Sequence, residues 1–186
     1  MNNDDIVLYN TEDKVAGSQP GIETFDLVDA TDPVLHKALP EFDFENASIN
    51  PNDFASSLVE TCRKHNGLGL SANQCGFEHR VFVMGADNDY IACFNPKIVG
   101  MQDEVHMEEG CLSFPGLYLN VKRPESVVVQ YEDLDGRTQS KELKGLMARV
   151  FLHEYDHLMG ICFTDRVADL SLKLANGRRA KNLKKR

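Results

Sequence analysis

The sequence predicts an α+β fold in which short, mostly antiparallel strands and sheets pack around one central helix. Three observations predict it. Short runs rich in β-branched and aromatic residues follow one another over residues 80–101. A turn sequence within residues 125–144 separates two further runs and predicts a hairpin. Residues 146–157 then change to helical spacing. Strands that cluster ahead of one buried helix favour α+β over a doubly wound parallel sheet.

The first elements are an irregular segment and a helix. Residues 1–30 are polar and irregular. A helix is predicted over residues 52–65, where Asn52 or Asp53 can cap the first turn and Gly67 ends the helix. Its apolar residues recur every four positions: Phe54, Leu58 and Cys62.

Two strands and a hairpin are predicted next. Arg80–Met84 and Tyr90–Phe94 have strand composition. Pro96 interrupts the second strand, and Lys97–Met101 continues in extended form. Residues 125–144 contain a valine-rich strand, a Leu-Asp-Gly turn and a more polar return strand.

The last predicted helix carries two histidines on its apolar face. Its periodic residues fall at steps of four, three and four: Leu146, Val150, His153 and His157. We therefore expect this helix to be buried. Histidines four apart can reach one metal ion, and Glu154 between them can hold or move a proton on a water molecule. The alternative is a surface helix with two incidental histidines.

Composition and charge describe a globular protein with a basic end. The chain has 186 residues, of which 42% are hydrophobic, and a formal charge of −9. This charge argues against broad nucleic-acid binding by the body of the protein. Residues 173–186 instead contain seven basic residues and no acid. Such a tail either docks on a polyanion or acidic partner or is a solvated, frayed end.

Targeting features favour the cytoplasm. Residues 1–10 have neither a basic start nor an apolar core, so neither a secretory signal nor a transit peptide is expected. No apolar run is long enough to span a membrane. The five cysteines lack the spacing of a disulfide framework, which favours a reducing compartment.

The third metal ligand decides the class of protein. One large protease class has the pattern His-Glu-x-x-His-x-x-Gly-x-x-His. Gly160 matches that pattern, but Phe163 stands where the third histidine belongs. Upstream, Cys111 offers a thiolate for a borderline metal. Cysteine alone is more often a small buried apolar residue. Less usual candidates for the third ligand are Asp156, Asp165 and Asp169.

A third segment, residues 67–74, alternates small and apolar residues. It predicts an extended edge along which another backbone can lie. Gln74 ends this segment with an amide that can donate a hydrogen bond to a developing oxyanion. A plain glycine-rich loop after a helix is the alternative.

These segments, in this order, closely resemble the motifs of the peptide deformylase family. They are Gly-Leu-Gly-Leu-Ser-Ala-Asn-Gln at 67–74, Glu-Gly-Cys-Leu-Ser at 109–113 and His-Glu-Tyr-Asp-His at 153–157. Residues 32–37 resemble the early Asp-Pro-x-Leu segment of that family. The resemblance extends over about residues 30–165.

The resemblance implies one catalytic domain over residues 1–186, with 1–30 as an irregular N-terminal segment and 167–186 as a basic C-terminal tail. The implied metal ligands are Cys111, His153 and His157. Glu154 is the implied general acid and base. The Gln74 side chain and the Leu112 backbone N–H are implied to form the oxyanion site.

Substrate contacts and departures follow from the same resemblance. Gly69 and Gly110 are implied to lie beside the substrate backbone. By their positions, the apolar candidates for a methionine pocket are Leu68, Leu146 and Val150. Glu109 and Arg123 match positions that pair in some members. The departures are Ser71 for alanine, Leu152 for glutamine, and Tyr118 where some bacterial members place a substrate-holding arginine.

The implied activity is hydrolysis of the N-formyl group from formyl-methionyl nascent peptides, with release of formate. The implied metal is Fe²⁺, with Ni²⁺ or Co²⁺ as active substitutes, whereas the ligand types alone would favour Zn²⁺. The family suggests action at the ribosome, where the basic tail could dock on RNA.

Two other functions stay open from the sequence. One is a general metallopeptidase of the His-Glu-x-x-His type. The other is a non-catalytic metal-binding module in which His106 or Cys162 supplies a fourth ligand and closes the site.

Overall fold

The computed structural model describes residues 14–15, 21–87 and 89–183. Within them, antiparallel strands form two sheets against which the helices pack. The predicted α+β class with mostly antiparallel strands is confirmed. The prediction for residues 1–30 falls largely outside the described residues, and 21–30 contain neither helix nor strand.

Seven strands are found in the described part of the chain. In order they are β1 (Gly69–Ser71), β2 (Val81–Ala86), β3 (Asp89–Gln102), β4 (Val105–Gly110), β5 (Tyr118–Arg123), β6 (Ser126–Glu132) and β7 (Thr138–Lys144). The larger sheet has the strand order β1-β2-β3-β6-β7, and the smaller sheet pairs β4 with β5. The extended edge predicted near residue 70 is therefore strand β1, at one edge of the larger sheet.

The strand predictions are confirmed for β2, β3 and the β6–β7 hairpin. Pro96 does not end β3, because the pairing register with β6 shifts between Phe94 and Lys97. Asn95 takes a left-handed conformation there, with φ of 47°. A bulge of this kind accommodates a residue that has no N–H to donate. The β4–β5 hairpin was not predicted.

The first helix, α1, spans Pro51–Lys64, close to the predicted range. Its cap is Asn50 rather than Asn52 or Asp53. The Asn50 side chain accepts hydrogen bonds from the N–H groups of those two residues. Pro51 then occupies the first helical position, where the missing N–H costs nothing.

The second helix, α2, spans Gly145–Leu158 and is buried as predicted. Phe151 packs edge-on against Phe82 of β2, with ring centroids 5.1 Å apart. Burial of a side chain of this size contributes about 1.5–3 kcal/mol. The helix also buries five polar residues: Arg149, His153, Glu154, Asp156 and His157. Buried polar groups require partners, so this helix face is where a functional site is expected.

Most of the basic C-terminal segment is a third helix, α3, over Asp169–Leu183. Leu172 and Ala175 pack it against an apolar cluster formed by Leu117, Leu119, Val121 and Phe163. Packing of this inner face is what distinguishes α3 from the frayed tail considered above. No helix in residues 14–15, 21–87 and 89–183 is long and apolar enough to cross a membrane.

Candidate metal centre

Three side chains from two parts of the chain converge in the structure. Cys111 follows the last residue of β4, while His153 and His157 stand one turn apart on α2. Their ligand atoms all lie within 4.8 Å of one another, and the Cys111 Sγ is 3.2 Å from the His157 Nε2. The helix spacing explains the histidine pair, because residues four apart share a face. Two imidazoles and one thiolate can therefore hold one metal ion.

Both histidines have an Nε2 atom available to this cluster. The His153 Nδ1 is 3.0 Å from the Glu109 carboxylate, which leaves the other nitrogen for a metal. Burial lowers the pKa of His157 well below its usual value, so this ring is neutral, as a ligand must be. Burial also acts to lower the pKa of His153, yet hydrogen bonds with Cys111 and Glu109 raise it to about 10. Metal binding would therefore release a proton from His153.

A buried ionic network contacts His153 on the side of the ring that faces away from Cys111 and His157. Glu109 accepts hydrogen bonds from the Arg123 Nε at 2.7 Å and the Arg149 Nη1 at 2.8 Å. Burial acts to raise the pKa of Glu109, but hydrogen bonds with His153 and Arg123 lower it to about 2. Arg123 also donates to Asp156 at 2.6 Å. The Glu109–Arg123 pair that the resemblance implies is thus part of a larger network that keeps Glu109 ionised.

Glu154 lies in the same cavity as the cluster and has an oxygen free to accept a proton. Its side chain is buried, and among the described residues its Oε2 has no hydrogen-bond partner. Burial raises the pKa of Glu154 to about 7. The carboxylate packs against β1, where a Cβ atom built on Gly69 would lie 2.6 Å from the Glu154 Oε1. A carboxylate with a pKa near neutral can take and return a proton at physiological pH.

The Gln74 carboxamide has a fixed orientation. Its Oε1 accepts hydrogen bonds from the backbone N–H and the hydroxyl of Ser71, both at 2.9 Å. Its Nε2 donates to the Ser113 hydroxyl at 3.1 Å and lies 3.4 Å from the Cys111 Sγ. The amide N–H group therefore faces Cys111 and the two histidines, where it can donate to an oxygen that gains charge.

A cavity of about 600 Å³ joins these residues to the predicted substrate contacts. The predicted metal-binding and catalytic residues on its wall are Gln74, Cys111, Leu112, His153 and Glu154. The predicted substrate contacts on its wall are Leu68, Gly69, Gly110, Leu146 and Val150. Leu68 and Leu146 are 40% and 45% exposed, so their apolar side chains are accessible to a ligand.

Tyr118 forms part of the cavity rim beside Gly110. A Cβ atom built on Gly110 would lie 2.9 Å from the Tyr118 Cε1, so glycine is required for the ring to lie this close. The ring is 58% exposed. The rim at this position is therefore aromatic, and a charged substrate contact is not available from this residue.

Several candidates from the sequence lie outside the cluster. Phe163, at the position of the third histidine in the protease pattern, is buried in an apolar cluster. Cys162 is buried in a different apolar cluster, and His106 is exposed on β4. Asp156 is engaged by Arg123 and Arg166. Asp165 and Asp169 likewise do not join Cys111, His153 and His157 in the group found among the described residues.

Two residues that contact the site were not predicted from the sequence. Arg149 is buried and bonds to Glu109, and Ser113 is buried and accepts from Gln74. The available signal for Arg149 was a charged residue within an apolar helix, since a buried arginine needs a partner. Ser113 carries no comparable signal, because serine occurs freely in turns.

A second cavity of about 700 Å³ borders the other side of the ionic network. Ile98, Met101, Leu152 and Tyr155 form its apolar wall. Its charged side chains form two ion pairs, Asp156 with Arg166 and Lys122 with Glu104. None of the three clustered side chains lines this cavity, so we place the functional site in the smaller one.

Comparison with known proteins gives a consistent result. Residues 24–173 match the model of the family described as polypeptide deformylase. The peptide deformylase of Dictyoglomus thermophilum is 39% identical over 142 residues, which cover 76% of this chain and 92% of that protein. The structure of a peptide deformylase from Synechococcus elongatus in complex with actinonin has a TM-score of 0.77 at 34% identity, covering 90% and 92% of the two chains. That of Thermotoga maritima peptide deformylase has a TM-score of 0.73 at 36% identity, covering 78% and 99%. The chain therefore belongs to the polypeptide deformylase family.

Proposed function

We propose that the protein is a metal-dependent hydrolase that removes the formyl group from formyl-methionyl peptides of nascent proteins and releases formate. One observation supports this most strongly. The Cys111–His153–His157 cluster presents Cys111 and His153 to one cavity, whose wall also contains the buried Glu154, the oriented Gln74 amide and apolar side chains. Family membership and the activity named for the relatives support the same reaction.

Cys111, His153 and His157 are the residues that would hold the metal. Three protein ligands leave a coordination position open, as a hydrolytic centre requires. When bound, the metal supplies Lewis-acid chemistry that makes a water molecule acidic enough to give hydroxide near neutral pH. We infer that the native metal is Fe²⁺, by family resemblance. The same borderline donors also accept Zn²⁺, Ni²⁺ or Co²⁺.

The proton and the developing charge are handled by the protein. Glu154 accepts a proton from the attacking water and returns it to the leaving amine. Its buried Oε2 has no other described partner that would compete for this role. The Gln74 Nε2 and the Leu112 backbone N–H donate to the formyl oxygen as it gains charge. Loss of one such donor costs about 3 kcal/mol of barrier.

Substrate binding would use the edge of the larger sheet and the apolar wall. The peptide backbone lies beside Gly69 on β1 and Gly110 at the end of β4. The methionine side chain occupies the space beside Leu68, Leu146 and Val150, which line one cavity. A thioether side chain packs well against such an irregular apolar surface.

Formate release with parallel metal analysis tests the proposal. Protein purified without oxygen is expected to contain about one iron per chain and to release formate from a formyl-methionyl peptide. Cys111→Ser is expected to lower formate release more than about 100-fold, because loss of an outer-shell partner alone costs about 10–100-fold. Cys75→Ser, at a partly buried cysteine outside the cluster, is the matched control.

Each outcome of that experiment has a distinct meaning. Formate release without iron, but with zinc or nickel, would contradict the inferred metal and leave the reaction standing. Absence of formate release from metal-loaded wild-type protein would contradict the reaction. Casein cleavage by the same preparation would instead favour a general metallopeptidase.

We further propose that the protein acts in the cytoplasm at the ribosome, with α3 as its contact to RNA. The exposed basic residues on α3 are Lys173, Arg178 and Lys181. The opposite face of α3 packs on the body of the protein, so these cations are held on a helix rather than on a mobile tail. Fixed cationic side chains bind phosphates by releasing counterions.

Co-sedimentation with ribosomes tests the contribution of α3. Reversal of its three exposed charges, with Lys173→Glu, Arg178→Glu and Lys181→Glu, is expected to weaken binding on the order of tenfold at low salt. The control reverses three exposed lysines on other elements: Lys97, Lys122 and Lys144. Equal losses from the two triple variants would show that net charge, and not α3, governs the association.

A further inference from the structure

Arg149 is a buried cation in the metal-binding helix that the proposed reaction does not use. It is 3% exposed and lies four residues before His153 on the same helix. Both side chains contact the same carboxylate. The Arg149 Nη1 is 2.8 Å from the Glu109 Oε1, and the His153 Nδ1 is 3.0 Å from the Glu109 Oε2. Arg149 therefore holds one oxygen of Glu109 while the other oxygen orients a metal ligand.

Arg149 is itself fixed by backbone atoms of the smaller sheet. Its Nη1 donates to the Val121 carbonyl on β5 at 2.9 Å, and its Nη2 donates to the Val105 carbonyl on β4 at 2.9 Å. Both carbonyls belong to the paired strands β4 and β5, so two backbone groups fix the place of the guanidinium. These bonds join α2 to both strands of the hairpin.

This junction connects the two segments that supply the proposed metal ligands. Cys111 directly follows β4, and the two histidines are on α2. The distance between thiolate and imidazoles therefore depends on how the hairpin sits against the helix. Arg149 makes bonds to both strands of that hairpin and to the carboxylate that fixes His153.

Arg123 contacts the same carboxylate but differs in its role. It divides its bonds among Glu109, Asp156 and the Leu152 carbonyl, and it originates on the hairpin rather than on the helix. Arg149 donates its hydrogen bonds to Glu109 and to the backbone of both strands. Its planar fork can serve several acceptors at once, which a lysine ammonium in the same place cannot do with the same geometry.

We infer that Arg149 is a positioning residue of the metal site. Arg149 holds Glu109, and through it His153, and it sets the position of Cys111 relative to α2. The inference rests on the metal site proposed above. Outer-shell partners of this kind typically change metal affinity by about 10–100-fold when they are removed.

Titration of the metal-free protein with Co²⁺, without oxygen, tests this inference through the absorption bands of the bound metal. Arg149→Met is expected to weaken Co²⁺ binding by about 10–100-fold and to shift the bands, because the His153 ring and Cys111 change place. Arg149→Lys keeps one charged contact and is expected to give an intermediate affinity. Arg63→Met is the matched control.

Arg63 makes a suitable control because it is another arginine, with a side chain that is only 17% exposed. It donates to the Glu60 carboxylate and to the Asp87 carbonyl, and it lies over the Tyr90 ring, outside the metal cluster. Arg63→Met is expected to lower the unfolding temperature and to leave the Co²⁺ affinity and bands unchanged. This separates a general loss of packing from a change at the metal.

The outcomes distinguish this inference from the proposed function. Wild-type protein that shows no Co²⁺ bands and no formate release would contradict the metal site itself. Wild-type bands with unchanged affinity in Arg149→Met would contradict only the role of Arg149. An equal loss of affinity in Arg63→Met would also contradict it. Should Arg149→Met not fold without metal, a wild-type affinity and spectrum in folded Arg149→Lys would overturn the inference, and weakened binding would support it.

Discussion

Replacement of Glu154 by glutamine is expected to lower kcat for formate release by roughly 10²–10⁴-fold while the protein keeps its metal. Glutamine has nearly the same shape as glutamate but cannot accept a proton. Cys111, His153 and His157, the proposed metal ligands, are unchanged in this variant. KM is expected to change little, because the carboxylate acts on the attacking water and the leaving amine rather than on the bound peptide.

The same substitution is expected to leave the protein at least as stable. Burial of the carboxylate raises its pKa to about 7, and one of its oxygens has no described partner. A neutral amide removes the cost of burying that charge. Lower activity with unchanged or higher unfolding temperature is the pattern expected of a group retained for chemistry.

The control for Glu154→Gln is Glu108→Gln. Glu108 lines the same cavity but is exposed on β4. Its loss is expected to change kcat less than about twofold, since a screened surface carboxylate contributes little. A metal-loaded Glu154→Gln protein with wild-type turnover would remove Glu154 from the mechanism.

Replacement of Arg123 by methionine is expected to destabilise the fold by about 3–5 kcal/mol. Arg123 is 4% exposed and bonds to Glu109 at 2.7 and 3.1 Å and to Asp156 at 2.6 Å. Methionine fills similar space but leaves both carboxylates with less compensating charge in a buried place. A chain of this size loses about 2–4 °C of unfolding temperature per kcal/mol, so we expect a decrease of roughly 6–20 °C.

Lys122 is the matched comparison for Arg123, because it is the preceding residue on β5. Its ion pair with Glu104 is exposed on both sides. Lys122→Met is therefore expected to change stability by less than about 1 kcal/mol. The measurement is thermal unfolding of the metal-free protein. Equal decreases of the unfolding temperature in the two variants would show that the buried Arg123 network stabilises the fold no more than the exposed Lys122 pair.

Regular spacing made helix α2 predictable. The apolar residues and the two histidines of α2 share a face, and periodicity alone reveals this. The cap of α1 was placed wrongly because several side chains near its start can serve. Asn50 was selected by Pro51, which fits best at the first helical position.

The β4–β5 hairpin could not be predicted by the same reasoning. Its strands contain charged and amide side chains such as Glu108, Asn120 and Lys122, which weaken the strand signal. The hairpin is also stabilised by two buried arginines. Arg123 lies at its end and reaches Asp156 on α2, whereas Arg149 comes from α2 and bonds to both strands. Tertiary contacts of this kind override local preference.

The cysteine of the site shows the same limit. Cys111 follows this hairpin, 42 positions before His153, and no spacing rule connects it to the helix. Thiolate chemistry makes it one candidate among several, and only the resemblance of the surrounding Glu-Gly-Cys-Leu-Ser segment singles it out. The structure places its sulfur beside His157. Its assignment as a metal ligand stays a proposal until the Cys111→Ser protein is measured.

The contact between Gly69 and Glu154 fixes one position on the substrate side of the cavity wall. Any side chain at Gly69 would meet the Glu154 carboxylate before it met a substrate. A library made to change peptide selectivity should therefore keep this glycine whatever substrate is chosen. Diversity belongs at Leu68, Leu146 and Tyr118, whose exposed side chains face the same cavity. The strand edge is thus constrained by the helix behind it, and selectivity can be redesigned only from the rim.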